Sequence, residues 1–395
     1  MAGILDGVRV LDFGRYVAGP YCATVLGDFG AEVIRIERRS GSEDRFVTPV
    51  TEGGEGSLFM QVARNKLSVT LDPMNPAATD VVRRLVESAD IVVANLPGGT
   101  LKAMGLDYET LKAIKPNIIL VNVSAFLGEG PWADRLGFDT IGQAMSGGVH
   151  LSGQPDQPYR ATVSWVDFGT ALHAALGAVL ALIERGKSGR GQEVKAALLP
   201  TAVSFNNGAL IEQAVIAPNR VATGNRSPTS GPTDMYRAKD GKWLLTQVVG
   251  LPLFKRWARL MGEDKWLEDP RFADDIGRGD HGPELSARTA KWCLEHDRDE
   301  ALDLLAAAKI PAGPILSPQE VLDHPQVQAL KLLHALDYPG LPKPAPVAQT
   351  AIFMSETPAE IRSAAPELGA HTDQILSQLG YSAEEIAGLR QSGSI

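Results

Sequence analysis

The sequence predicts an α/β fold built on an open, mostly parallel sheet, and three observations carry that prediction. The chain opens with a strand, a loop, a helix and a second strand within its first 37 residues. Strand-like and helix-like segments then keep alternating as far as Val123. With 395 residues, 44% of them hydrophobic, there is enough chain for full cores and for two or three domains.

The first strand is Val8 to Phe13 (VRVLDF), followed by the glycine-punctuated loop GRYVAGP and a short helix over Tyr21 to Asp28. Ala31 to Glu37 is the second strand. The loop carries Gly14 and Gly19 but no GxGxxG, so a dinucleotide site is not expected. Next come a strand at Ser68 to Leu71, a helix opening after Pro73 and ending near Ser88, and a strand at Ile91 to Asn95. A helix over Tyr108 to Ile114 leads into the strand Ile118 to Val123. Gly128 to Pro158 reads as loops around one short helix at Thr140 to Met145. An alanine-rich helix spans about Phe168 to Arg185, then the turn GKSGRGQ and a strand at Glu193 to Ala197.

Pro218 to Gly231 is loop-like and marks a domain boundary. Tyr236 to Val249 predicts a hairpin turning at Asp240-Gly241. Helices follow at Pro252 to Met261, Glu284 to His296 and Arg298 to Ala308, before a second linker at Ile310 to Pro318. The expected organisation is a large domain from residues 1–217, a smaller α+β domain from 218–318, and a segment 319–395 that returns to the large domain.

Composition narrows the function classes. A net charge of -9 gives no basic footprint, so neither a nucleic-acid partner nor a polybasic membrane contact is expected. Cys22 and Cys293 are the only cysteines, which excludes a disulfide framework and suits a reducing compartment. The N-terminus lacks a basic signal-peptide region, and the longest apolar run, Ala171 to Ile183, has the length of a buried core helix rather than a membrane span. A cytoplasmic protein is expected. The seven histidines form no pair at ligand spacing, so no metal site is expected. GxSxG and Walker P-loop motifs are absent as well.

One acidic residue stands out. Asp167 sits at the start of the alanine-rich helix, and two readings of it stay open. As an N-cap, its carboxylate would accept a bond from a first-turn N–H. As a nucleophile, it would be held ionised by the positive end of the helix and its spare N–H groups.

Three stretches together resemble the family III CoA-transferases: LDGVRVLDFGRYVAGPYCATVLGDFGAEVIRIER near the start, GFDTIGQAMSG at Gly137 to Gly147, and VDFGTALHAALGAVLALIERGKSGRGQEV from Val166. GNRSP at Gly224, DDIGR at Asp274 and GAHTDQIL at Gly369 follow in the same order. The family shares its fold with the α-methylacyl-CoA racemases. The resemblance implies a Rossmann-like large domain, a smaller α+β domain, and an interlocked, ring-shaped homodimer. It also implies that Asp167 attacks a CoA thioester, which is substrate rather than permanent cofactor, with backbone N–H groups near Gly147 and Gly148 as oxyanion candidates.

Carried over position by position, Arg38 would meet the CoA nucleotide, Val17 and Ala18 would lie along the pantetheine, and Leu71 and Asn95 would line the CoA groove. Where many members have an arginine after that asparagine, this chain has Pro97 and Ala103, with Lys102 as the candidate substitute. Asp139 would position substrate or catalytic groups. The racemase branch commonly has a histidine at the place of Phe138, and a phenyl ring moves no proton. The reading is therefore a CoA-transferase, with a racemase or a non-catalytic CoA-thioester binder as alternatives. Succinate-type dicarboxylates are expected ahead of the oxalate and formate pair, since the chain has no GGGG run.

Overall fold

A computed structural model describes residues 3–395. The chain divides into two compact units, the first made of residues up to 146, 162–205 and 329–395, the second of 147–161 and 206–328. The sequence reading had placed its boundaries at 218 and 318.

The first unit is organised by six strands: β1 (Arg9–Asp12), β2 (Glu32–Glu37), β3 (Lys66–Thr70), β4 (Ile91–Ala94), β5 (Ile119–Ser124) and β6 (Glu193–Ala197). They pair in the order β3-β2-β1-β4-β5-β6, every pair parallel. Strand order reverses between β1 and β4. In a doubly wound sheet that reversal opens a crevice beyond the carboxyl ends of the two strands.

Side chains alternate along each strand, so the sheet serves two cores. Leu11, Val92 and Leu120 face one of them, where α2 (Thr79–Ser88), α4 (Tyr108–Ile114) and two C-terminal helices, α12 (Thr372–Gln378) and α13 (Ala383–Gln391), contribute Leu85, Leu111, Ile375 and Ile386. Val10, Val93 and Val121 face the other, filled by α1 (Ala18–Asp28), α6 (Trp165–Ser188) and α7 (Leu198–Phe205). Between α2 and α6 lie α3 (Gly98–Ala103) and α5 (Asp139–Met145).

The α6 helix corrects two expectations. It begins three residues earlier than the sequence suggested, at Trp165, so Asp167 lies within its first turn rather than before it. At 24 residues it is also long and apolar enough, by length and composition alone, to cross a membrane. Only one of its faces enters the core. That face is built from Ala171, Ala174, Ala175, Ala178 and Ala181, whose small side chains let α6 lie close against α1. Leu172, Leu176, Leu180 and Ile183 face outward and are 44%, 57%, 56% and 53% exposed.

In the second unit, α8 (Asn207–Ile216) buries none of its residues. β7 (Thr233–Arg237) and β8 (Trp243–Gln247) form the expected hairpin, with Gly241 at φ +82 in its turn. β9 (Ala312–Pro314) adds a third antiparallel strand. A core around Trp257 and Phe254 joins this sheet to α9 (Leu251–Leu260), α10 (Gly282–Cys293) and α11 (Arg298–Ala307).

The close seating of α6 on α1 predicts that Ala174→Leu, at a site with no exposure, lowers stability by about 1–3 kcal/mol. Urea denaturation of the variant measures it, and an unchanged midpoint would mean that the alanine face has room to spare.

Candidate functional site

The crevice at the strand reversal holds a cavity of about 440 Å³. Its walls come from the carboxyl ends of the parallel strands: the loop after β1, the residues after β4, the end of β5, and the first turn of α6.

The loop after β1 is fixed at both ends. Gly14 N–H donates to the Asp12 carboxylate at 2.8 Å. A Cβ on Gly14 would sit 2.6 Å from the Pro20 ring and 2.7 Å from that carboxylate, so no other residue fits without displacing the loop. Asp12 is itself held by Lys66 at 2.8 Å and Arg35 at 3.4 Å, all three fully buried. Burial opposes ionisation of Asp12, but the two cations outweigh it and its pKa lies below the ordinary carboxylate value. One residue further on, Asn95 accepts from Arg15 N–H at 2.6 Å and donates to Arg15 C=O at 2.7 Å. Asn95 thus clamps one peptide from both sides. Tyr16 follows at φ +59, a conformation that costs a non-glycine residue energy, and its ring meets Phe138 edge-on at 5.3 Å.

On the opposite wall the chain brings two carboxylates together. Asp139, first residue of α5 and only 5% exposed, accepts from Val166 N–H at 2.8 Å and Asp167 N–H at 3.0 Å. It also accepts from the side-chain amide of Gln143, one turn along its own helix. Asp139 therefore caps α6 from 27 residues upstream, taking first-turn donors that a helix leaves unmatched.

This arrangement excludes the N-cap reading of Asp167. The first-turn N–H groups that were to hold its carboxylate are already taken. Among the described residues no donor bonds the Asp167 carboxylate, which lines the cavity. Burial pushes its pKa up, and the negative charge of Asp139 pushes it further, to about 7.

The cavity brings Val17, Ala18, Arg38, Asn95 and Asp167 together. Leu71 does not line it, being 1% exposed in the core beside Val69. Lys102 is exposed on α3 and points away from the lining, because the helical turn presents Thr100 and Met104 to the cavity instead. Asp139 lies behind the wall rather than in it. Phe138 lines the cavity and is 56% exposed. His173, two turns into α6, is engaged by Thr201 at 3.4 Å and Phe205 and lies outside the lining. His150 belongs to the second unit, as do Gly147 and Gly148. Arg15 and Tyr16 line the cavity although sequence reasoning does not single them out; the available signal was a cation inside a loop between strand and helix. Among the described residues, no group of three or more His, Cys, Asp or Glu side chains is placed to hold a metal ion.

Comparison with known proteins adds three findings. The sequence pattern of CoA-transferase family III matches residues 5–372. The chain is 35% identical to the succinyl-CoA–D-citramalate CoA-transferase of Chloroflexus aurantiacus over 98% of this chain and 96% of that one. It is 33% identical to the succinate–glutarate CoA-transferase of Agrobacterium fabrum, over 95% of each. Among solved structures, a CAIB/BAIF family protein from Brucella suis superposes with a TM-score of 0.84 at 30% identity, covering 96% of this chain and 100% of its own.

The raised pKa of Asp167 carries a stability cost with a definite sign. The unfolded chain ionises this group near the ordinary aspartate value of 3.8, the folded protein at about 7. The folded state is therefore unpenalised below about pH 4 and loses stability as pH rises towards 7. Asp167→Asn is predicted to stabilise the protein at about pH 8 by on the order of 1–4 kcal/mol, a gain that vanishes below about pH 4. Thermal melts of both proteins across that range measure it; a gain independent of pH would contradict the assignment.

Proposed function

We propose, because the chain belongs to CoA-transferase family III, that it moves CoA from an acyl-CoA to an acceptor carboxylic acid through covalent intermediates on Asp167. The observation that carries this reading is a carboxylate in the cavity wall that no donor among the described residues bonds, with a pKa raised to about 7. Lone pairs not engaged by donors are free to attack, and a more basic carboxylate is a better nucleophile.

The chemistry then needs no net input, since one thioester replaces another. An Asp167 oxygen attacks the thioester carbon, and the C–S bond breaks to give an acyl-aspartyl anhydride and CoA thiolate. The thiolate attacks the Asp167 carbonyl, releasing the donor acid as its carboxylate and leaving an aspartyl-CoA thioester. The acceptor carboxylate displaces the thiolate to form a second anhydride. Attack of the thiolate on the acceptor's carbonyl yields the new acyl-CoA and restores the Asp167 carboxylate. Asp139 acts as a positioning residue. It fixes the first turn of α6 by its two backbone bonds, and its charge keeps Asp167 basic.

The named relatives act with succinyl-CoA or succinate and a second acid. We assign succinyl-CoA, a dicarboxylic acyl-CoA, as the first donor to test. We also assign the outward Leu172, Leu176, Leu180 and Ile183 stripe of α6 to contact with a second copy, in the interlocked homodimer that the family resemblance implies. Large apolar side chains at four- and three-residue spacing make one continuous stripe, which water disfavours.

Incubation with succinyl-CoA and hydroxylamine is predicted to leave a hydroxamate at Asp167, found by peptide mass mapping. Asp167→Asn should abolish the adduct and lower transfer by about 10³-fold or more. An active Asp167→Asn protein would overturn the mechanism. The rate with limiting substrate should rise with pH to a plateau above about 7, and Asp139→Asn should move that limb to lower pH by removing the neighbouring charge. A limb unmoved by that change would assign Asp139 a purely structural part. In light scattering the protein should show twice the 42.2 kDa chain mass. Monomeric wild-type protein would remove the assignment of the stripe.

A further inference from the structure

Among the described residues, Arg15 and Arg38 are the two cations that line the cavity. The segment after Asn95 offers none there: it presents Leu96, Pro97, Thr100 and Met104. Arg38 is half exposed and pairs with Glu43.

Arg15 is different. Its side chain is 15% exposed, yet its guanidinium makes only a 3.4 Å bond to Gly14 C=O and a 4.0 Å contact with Glu43. The other deeply buried arginines are engaged: Arg64 bonds Asp28 through two nitrogens at 3.1 and 2.6 Å, and Arg45 bonds Glu37 at 3.2 and 2.6 Å. A guanidinium has five N–H donors, and the few bonds Arg15 makes leave several of them open to a ligand in the cavity it lines. Burial lowers the Arg15 pKa, and Arg35 lowers it further against the opposing pull of Asp44 and Glu43. Its position is set in advance, because Asn95 holds the Arg15 peptide from both sides.

The end of the cavity where it sits tells which negative charge. Arg15 and Arg38 share one neighbour: the Arg15 guanidinium lies 4.0 Å from a Glu43 carboxylate oxygen, and Arg38 bonds the other oxygen of that carboxylate. The CoA portion of the donor is neutral at its thioester and carries its phosphates at the nucleotide end, while the succinyl carboxylate lies on the acyl side of the thioester. With the thioester at Asp167, the phosphates reach the arginine end.

Resting on the CoA-transferase reading above, we propose that Arg15 is the principal phosphate-binding residue of this site, with Arg38 beside it, in place of the cation that the segment after Asn95 lacks. An incoming phosphate completes the Arg15 donor set, and Glu43 stays with Arg38.

The test is calorimetric binding of CoA, 3′-dephospho-CoA and pantetheine to the wild-type protein, Arg15→Gln and Arg15→Lys. Arg15→Gln should weaken CoA by on the order of 10- to 100-fold and leave pantetheine unchanged, which also reports an intact fold. Arg15→Lys, which keeps the charge without the fork, should fall between. If the loss persists with 3′-dephospho-CoA the diphosphate is the partner, and if it disappears the 3′-phosphate is. In turnover with succinyl-CoA, KM for the thioester should rise while kcat holds. Unchanged CoA affinity, or a rise in the acceptor acid's KM alone, would overturn the proposal. Wild-type protein that binds no CoA would instead overturn the CoA-transferase reading.

Discussion

The bond pair from Asp139 to the first turn of α6 is the interaction on which the site depends. A helix start leaves backbone donors that some acceptor must satisfy. Here the acceptor is a buried carboxylate from another helix, reaching Val166 and Asp167 N–H at 2.8 and 3.0 Å. Two consequences follow from that one choice. The donors that would have stabilised an ionised Asp167 are spent, and a second negative charge is fixed close to it. Both act in the same direction, so the Asp167 carboxylate is a stronger base than an exposed aspartate and less stable as an anion. The folded protein carries a stability cost at this position above about pH 4.

The sheet provides the place for it. Reversal of strand order between β1 and β4 separates the loops that follow them, and the cavity occupies the gap. Its geometry would drift if those loops were free. Asn95 prevents this by bonding both the N–H and the C=O of Arg15, tying the β4 end to the β1 loop. Beneath them, Asp12 links the same loop to Lys66 and Arg35 in a fully buried ionic cluster. Such a cluster contributes little net stability over apolar packing, but breaking it by removing one partner is costly. It is better understood as holding the loop in one conformation.

Much of the architecture was legible in the sequence because it is local. The strand at Glu193 to Ala197 and the helix at Tyr108 to Ile114 are found with the bounds expected from apolar pattern alone. The hairpin at Asp240-Gly241 is where its turn residues placed it. What sequence could not supply was contact between distant residues. The start of α6 was misplaced by three residues because its capping carboxylate comes from Asp139, far upstream, rather than from a residue next to the helix. Lys102 was weighed as a phosphate ligand because it is a cation near Asn95, but the register of α3 turns it outward. Leu71 follows a strand whose neighbours bury it. A loop sequence does not reveal that the fold leaves Arg15 with only weak partners.

The most direct test of the account is the ionisation of Asp167 itself, measured by carbon NMR on protein labelled at aspartate carboxyl carbons. The Asp167 signal is identified by its absence from the Asp167→Asn spectrum. The account predicts a titration midpoint near 7, well above an exposed aspartate. A midpoint near 4 would contradict it, since Asp167 would then be an ordinary, solvated carboxylate that Asp139 does not influence.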